Sequence, residues 1–155
     1  MRRWFLLVGF VALTMAASGL ARIPVDAEAM AWYDELSIAP WNPGSWFFPA
    51  VWGILYTLLG IALWMIWTAG PGEPRNAALW VFALQFSLNV AWTWIFFGLQ
   101  APFPALLEIA TLIGTIVWSI RMAWWVAPFA SLVMLPYLAW VCIAATLNAW
   151  VAFAN

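Results

Sequence analysis

The stretch Trp32–Tyr56, WYDELSIAPWNPGSWFFPAVWGILY, passes from a polar, acidic segment through a proline-rich turn into an apolar helix. Four of the chain's six acidic residues, Asp26, Glu28, Asp34 and Glu35, lie in or just before its polar part. Aromatic faces, hydrogen-bonding side-chain tips and stiffening prolines are concentrated here, whereas most of the chain is hydrocarbon-like. The stretch therefore predicts the longest loop of the fold and the first place to look for a binding site.

The amino-acid composition places the chain in a membrane. Hydrophobic residues make up 68% of the 155 residues and charged residues 7%, with a mean hydropathy of +0.97. Because so few charges cannot cover a soluble surface, lipid must be the solvent for most of it. The length allows about five membrane-spanning helices of roughly 20 residues each. We therefore predict an all-α integral membrane protein, a five-helix bundle formed by a single domain over residues 1–155.

Proline and glycine divide the apolar chain into five segments. The predicted transmembrane helices cover about residues 4–21, 46–69, 76–98, 104–123 and 128–153. The only long polar connection joins the first two helices, and Pro136 predicts a kink in the fifth. In the first helix, Ala12 and Ala16 predict a small-residue packing strip. A secretory signal is the alternative for this segment, but no soluble domain follows it.

The arginines predict the orientation in the membrane. Arg2, Arg3, Arg75 and Arg121 fall on one side of a five-helix path, and Arg22 falls on the other. The positive-inside rule then places the N-terminus in the cytoplasm. The expected location is a bacterial inner membrane, with the outer membrane as the alternative.

Several classes of function are excluded. The net charge is −1 and the five basic residues are scattered, so nucleic acid is not an expected partner. The chain has no histidine, which excludes the usual histidine-based metal, haem and triad sites, and we expect neither a metal nor a resident cofactor. Its single cysteine, Cys142, cannot form an intramolecular disulfide.

Helical spacing gathers aromatic and polar side chains on three faces. These faces carry Phe48, Trp52 and Tyr56 on the second helix; Gln85, Asn89, Trp92 and Phe96 on the third; and Tyr137, Trp140, Ala144 and Asn148 on the fifth. Such faces would form a pocket with stacking walls for a flat, largely apolar ligand. The alternative is that the two asparagines only join helices by hydrogen bonds. Tryptophans at predicted helix ends, such as Trp46 and Trp125, are typical of a membrane-interface belt.

Two further features stand outside these faces. Ala83, Ser87 and Ala91 form a small-residue strip on the opposite side of the third helix, which predicts a homodimer contact. The alternative is packing against a neighbouring helix of the same chain. Glu108 is the one acidic residue inside a predicted span, and it predicts a ligand or proton role unless its carboxylate reaches the interface.

The motifs together resemble the TspO/MBR family. The first block comprises Trp32-Tyr33, Leu36, Trp41, Pro43, Trp46, Pro49, Val51-Trp52 and Tyr56. Two further blocks are Asn89-Val90-Ala91-Trp92 with Phe96-Phe97-Gly98, and Pro136-Tyr137-Leu138-Ala139-Trp140 through Ala144 to Leu147-Asn148. The resemblance covers nearly the whole chain and keeps the family's order and spacing.

The resemblance implies a five-helix bundle, commonly a homodimer, with a cavity closed by the loop between the first two helices. Family members bind porphyrins such as protoporphyrin IX and, in some cases, sterols. By motif position the pocket would be lined by Tyr33, Trp41, Trp52, Asn89, Trp140 and Ala144. We expect residues 32–44, stiffened by Pro43, to act as the lid of this pocket.

This chain departs from the family pattern in the lid. Ile38-Ala39 replaces the usual Lys-Pro pair, which removes a partner for a ligand carboxylate unless Arg22 takes its place. No basic residue follows Tyr137, so the sterol-contact pattern of mitochondrial relatives is absent.

Three functions remain open. The first is a membrane receptor or carrier for porphyrin-like tetrapyrroles, with a role in tetrapyrrole regulation or the stress response. The second is an enzyme that degrades protoporphyrin IX in light, with Trp52 and Trp140 as electron donors or radical sites. The third is a transporter for a sterol or another small molecule.

Overall fold

The computed structural model describes residues 2–155, with side chains from Trp4 onward, and over these residues it contains helices and no strands. The charges of Arg2 and Arg3 used in the orientation argument lie outside the described side chains. The helices are α1 Arg2–Arg22, α2 Ala27–Asp34, α3 Phe47–Thr68, α4 Glu73–Thr93 with a π-helical turn Trp94–Gly98, α5 Pro102–Trp124 and α6 Pro128–Ala154. The predicted all-α class is confirmed.

Five of these helices, α1 and α3 to α6, are long and apolar enough to cross a membrane. They pack as a ring in the order α1, α3, α6, α5, α4, and α4 returns to α1. The predicted helix bounds agree with the observed ones to within a few residues, and α6 continues through Pro136. Arg22 ends α1 at the end of the bundle that carries the long loop, whereas Arg121 lies in the last turn of α5 at the opposite end.

The long loop contains a helix that hydropathy does not predict. The carboxylate of Asp26 caps α2 by accepting a hydrogen bond from the Ala29 amide at 2.9 Å, and Ala29 is buried. Trp32 and Tyr33, further along α2, contact the ring of Phe96 in the π-helical turn. The loop is therefore packed onto the bundle along the end of α4.

Contact between α1 and α3 depends on Gly60 rather than on the predicted alanine strip. A Cβ atom at Gly60 would lie 2.7 Å from the Cα atom of Val11, so only glycine permits this approach. Beside it, the Thr14 hydroxyl donates to the Tyr56 carbonyl at 2.8 Å. Ala12 and Ala16 are exposed, so the prediction that they pack α1 within the bundle is wrong. Spacing identified a small-residue strip, but the glycine that forms the contact lies on the other helix.

Candidate functional site

Three of the predicted pocket faces meet inside the bundle. We call the residues at this meeting point the aromatic cluster: Phe47, Phe48, Trp52, Tyr56, Asn89, Tyr137 and Trp140. The cluster lies in the half of the bundle nearest the loop, since α3 begins at Phe47 and α4 ends close by. Helical periodicity had selected all of these residues except Phe47.

The α3 side of the aromatic cluster is held by a buried hydrogen bond. The Tyr56 hydroxyl donates to Asn89 Oδ1 at 2.5 Å, and both residues are only 3% exposed. The ring of Trp52 lies 5.6 Å from that of Tyr56 with a tilt of 37°. Because the donor and acceptor are both out of water, this bond fixes the relative positions of α3 and α4.

The α6 side of the cluster carries donors without partners. The indole of Trp140 lies between the rings of Phe47 and Phe48, at centroid distances of 5.7 and 5.9 Å. Its Nε1 is buried and has no hydrogen-bond partner among the described residues, and the same holds for the Tyr137 hydroxyl. Asn89 and Glu108 lie within electrostatic range of that hydroxyl. Buried N–H and O–H groups without acceptors are unusual, and they mark positions where a ligand acceptor would be stabilised.

Trp92 and Asn148 meet nearer the loop end of the bundle. Trp92 Nε1 donates to Asn148 Oδ1 at 3.1 Å, and Asn148 Nδ2 donates to the Pro102 carbonyl at 2.8 Å. Asn148 thus joins α4, α5 and α6. Both asparagines therefore bridge helices, as the alternative interpretation of them predicted, while Ala144 stays half-buried against the core.

The predicted lid residues are placed apart from the aromatic cluster. Trp41 packs edge-on against Trp150 at 5.3 Å and its Nε1 donates to Thr146 at 3.3 Å. It is 53% exposed, and it covers the outer side of α6 rather than the cluster. Pro43 follows in the turn, half-buried, with its carbonyl 3.4 Å from the amide nitrogen of Asn42. Thr146 and Trp150 were not predicted, although their spacing of four on α6 was a usable signal.

Tyr33 holds the other part of the loop. Its ring packs 5.8 Å from that of Phe97, and its hydroxyl donates to Asn42 Oδ1 at 3.4 Å. Burial raises the pKa of Tyr33 and the negative charge of Asp34 adds to this effect, whereas the hydrogen bond to Asn42 opposes it. The neutral phenol is therefore the form that the folded loop favours.

Two cavities open near the loop, and neither is lined by the aromatic cluster. One, of about 480 Å³, lies beside Trp41 and Trp150 on the outer side of α6. The other, of about 600 Å³, lies between α2 and the π-helical turn. A ligand that enters the aromatic cluster must therefore separate rings that are in contact in this structure.

Two polar side chains inside the spans lack partners. Both carboxylate oxygens of Glu108 and both amide atoms of Gln85 are buried without a hydrogen bond to any described residue. Gln85 lies one turn from Asn89 on the buried face of α4. The described residues contain no group of three acidic, cysteine or histidine side chains that could hold a metal. The chemistry available here is hydrogen bonding and stacking.

The predicted dimer strip faces outward. Ala83 and Ser87 are exposed and Ala91 is half-buried, so the strip is not consumed by packing inside the chain. The Ser87 hydroxyl bonds back to the Ala83 carbonyl at 2.9 Å, which leaves a smooth surface. The homodimer remains a prediction.

The sequence is similar to known proteins over nearly its whole length. The family model described as TspO/MBR family matches residues 7–153. The chain is 34% identical to the Translocator protein of Sus scrofa over 148 residues, which cover 94% of this chain and 87% of that protein. It is 37% identical to the Tryptophan-rich protein TspO of Chlorobaculum tepidum over 134 residues, 85% of each chain. It is also 30% identical to the Tryptophan-rich sensory protein of Cereibacter sphaeroides over 149 residues, 94% of this chain and 88% of the relative.

Proposed function

The chain belongs to the TspO/MBR family of multi-pass membrane proteins, and we propose that it is a receptor or carrier for porphyrin-like tetrapyrroles such as protoporphyrin IX. The observation that carries the proposal is the environment of Trp140, whose indole lies between two phenylalanine rings with its N–H unpaired. An aromatic macrocycle offers a face to these rings and an acceptor to the N–H group.

Stacking supplies the affinity in this proposal. A macrocycle inserted beside Trp140 replaces edge contacts between protein rings by larger face contacts. Each aromatic pair contributes about 0.5–1.5 kcal/mol beyond area burial, so exchange of several pairs is affordable. No metal ligand is needed, because the ligand is held by its faces and edges.

Neutral donors would take the ligand's carboxyl groups. The lid carries Ile38 and Ala39 where the family pattern has Lys-Pro, so the donors available in the aromatic cluster are Tyr137 and Trp140. A buried carboxylate costs far more than a buried ester unless it is paired with a cation. We therefore expect the dimethyl ester of protoporphyrin IX to bind at least as tightly as the free acid.

The test is a titration of the purified protein with protoporphyrin IX in the dark, followed by quenching of tryptophan fluorescence. Saturable quenching is expected, and Trp140→Leu should weaken binding by tenfold or more because it removes the central ring. Trp125→Leu is the matched control, since Trp125 is 81% exposed at the opposite end of the bundle. Absence of saturable quenching in the unmodified chain would refute the proposal.

The second candidate is light-dependent degradation of the bound porphyrin. The contact of Trp52 with Tyr56 favours it, since an indole beside a phenol provides a pair of oxidisable rings. Illumination of the complex in the presence of dioxygen separates the two candidates. Spectral loss of porphyrin that disappears in Trp52→Phe and Trp140→Phe supports the enzyme, whereas binding without light-driven change leaves the receptor or carrier.

A further inference from the structure

The cavity between α2 and the π-helical turn is separate from the aromatic cluster and has a different chemistry. It holds about 600 Å³, which is within the range of small-molecule sites. Pro24, Trp94 and Phe97 form apolar and aromatic walls, and the carboxylate residues Asp26 and Glu28 form one side. No arginine is among its lining residues.

The electrostatics of the cavity favour a cation. One oxygen of Asp26 caps α2, whereas Glu28 is exposed and has no hydrogen-bond or ion-pair partner among the described residues. Two helices also end here, α1 at Arg22 and the π-helical turn at Gly98. Helix C-termini carry partial negative charge, which adds to that of the two carboxylates. An ammonium group near the Trp94 or Phe97 ring would gain cation–π attraction as well.

The position of the cavity favours a lipid as the source of that cation. The cavity lies where α1 and α4 leave the predicted membrane span, at the level where head groups meet water. Leu20 is 56% exposed and Trp94 43% exposed directly beside it, which provides an apolar surface for an acyl chain. The Trp94 indole is fixed by a hydrogen bond from its Nε1 to the Leu20 carbonyl at 3.3 Å. Arg22 is exposed one residue before the cavity wall begins and offers a cation for a phosphate.

We propose that this cavity binds the head group of an ethanolamine phospholipid. The ammonium lies against Asp26 and Glu28, the phosphate lies towards Arg22, and an acyl chain follows Leu20 and Trp94. The opposite charges of the site match the order of charges in the zwitterion. Bound there, the lipid joins α1 and α2 to the end of α4 without entering the aromatic cluster, so this inference is independent of tetrapyrrole binding.

Native mass spectrometry of the full chain tests the proposal by counting bound dioleoyl phosphatidylethanolamine against dioleoyl phosphatidylglycerol. We expect the unmodified chain to prefer the ethanolamine lipid. Asp26→Asn with Glu28→Gln should lower its binding roughly fivefold, the size expected for two exposed ion pairs. Asn also caps helices, so α2 is retained in this variant.

The matched control is Asp34→Asn with Glu35→Gln, which removes the same charge from two exposed residues of the same loop outside the cavity. Its preference for the ethanolamine lipid should be unchanged. Equal binding of the two lipids by the unmodified chain would overturn the proposal, and so would an equal loss in both double variants. Glu28→Gln alone keeps the Asp26 cap intact and should lower binding about twofold.

Discussion

The aromatic cluster and the loop segment 37–42 both combine indole rings with amide groups, yet the molecule holds them in different ways. In the aromatic cluster the groups are buried between helices, with Tyr56 bonded to Asn89. In the loop segment they are exposed on α6, where Trp41 contacts Trp150 and Ser37 exchanges two hydrogen bonds with Asn155. The difference indicates a rigid binding wall beside a loop contact that can open at lower cost.

The largest expected effect comes from the helix contact that supports the aromatic cluster. Gly60→Ala places a Cβ atom 2.7 Å from the Val11 backbone, so α1 and α3 must move apart. We expect a loss of about 1–3 kcal/mol in the free energy of unfolding, the usual range for overpacking. Thermal unfolding in detergent measures it.

Gly53→Ala is the control for this change. Gly53 lies in the same helix, but nothing is within 4 Å of a Cβ atom placed there. It should gain about 0.5–1 kcal/mol from improved helix propensity. If Gly60→Ala is as stable as Gly53→Ala, the close helix contact is not what holds the cluster.

The next effect separates the two regions directly. Tyr56→Phe leaves Asn89 Oδ1 buried without its donor, which we expect to cost about 1–3 kcal/mol of stability. Tyr33→Phe removes a 3.4 Å bond to Asn42 in the half-buried loop and should cost about 0.5 kcal/mol or less. Chemical unfolding of both variants in the same detergent gives the comparison. Similar losses would mean that the aromatic cluster is no more rigid than the loop.

Sequence patterns predicted the cluster better than the loop for a physical reason. Tyr56, Asn89 and Trp140 lie on regular helices, so periodicity alone fixes which way each faces. The neighbours of Trp41 are Thr146 and Trp150, more than 100 residues away, and no local pattern links them. The eight residues of α2 were missed because a short helix depends on its cap and its packing partners rather than on hydropathy.

A smaller effect is expected from the loop contact itself. Trp41→Ala removes the ring contact with Trp150 and the bond to Thr146, and it should leave the unfolding temperature nearly unchanged. Amide hydrogen exchange in residues 37–42 should rise roughly fivefold, as expected for about 1 kcal/mol of local stability. Trp46→Ala is the control, because Trp46 is 75% exposed and its ring meets Phe47 outside this contact. Unchanged exchange in Trp41→Ala would show that the loop is held elsewhere.

The smallest effect is a pH dependence of the loop near Tyr33. Burial raises the pKa of this phenol above 10.0, its ordinary value, so the folded loop binds the proton more tightly than the unfolded chain does. The resulting stability is fully present below about pH 10 and is lost as the pH rises through the folded pKa. Hydrogen exchange at Tyr33 and Asp34, corrected for the intrinsic rate at each pH, should increase above pH 10. In Tyr33→Phe that increase should be absent, because the ring stays against Phe97 but has no proton to lose.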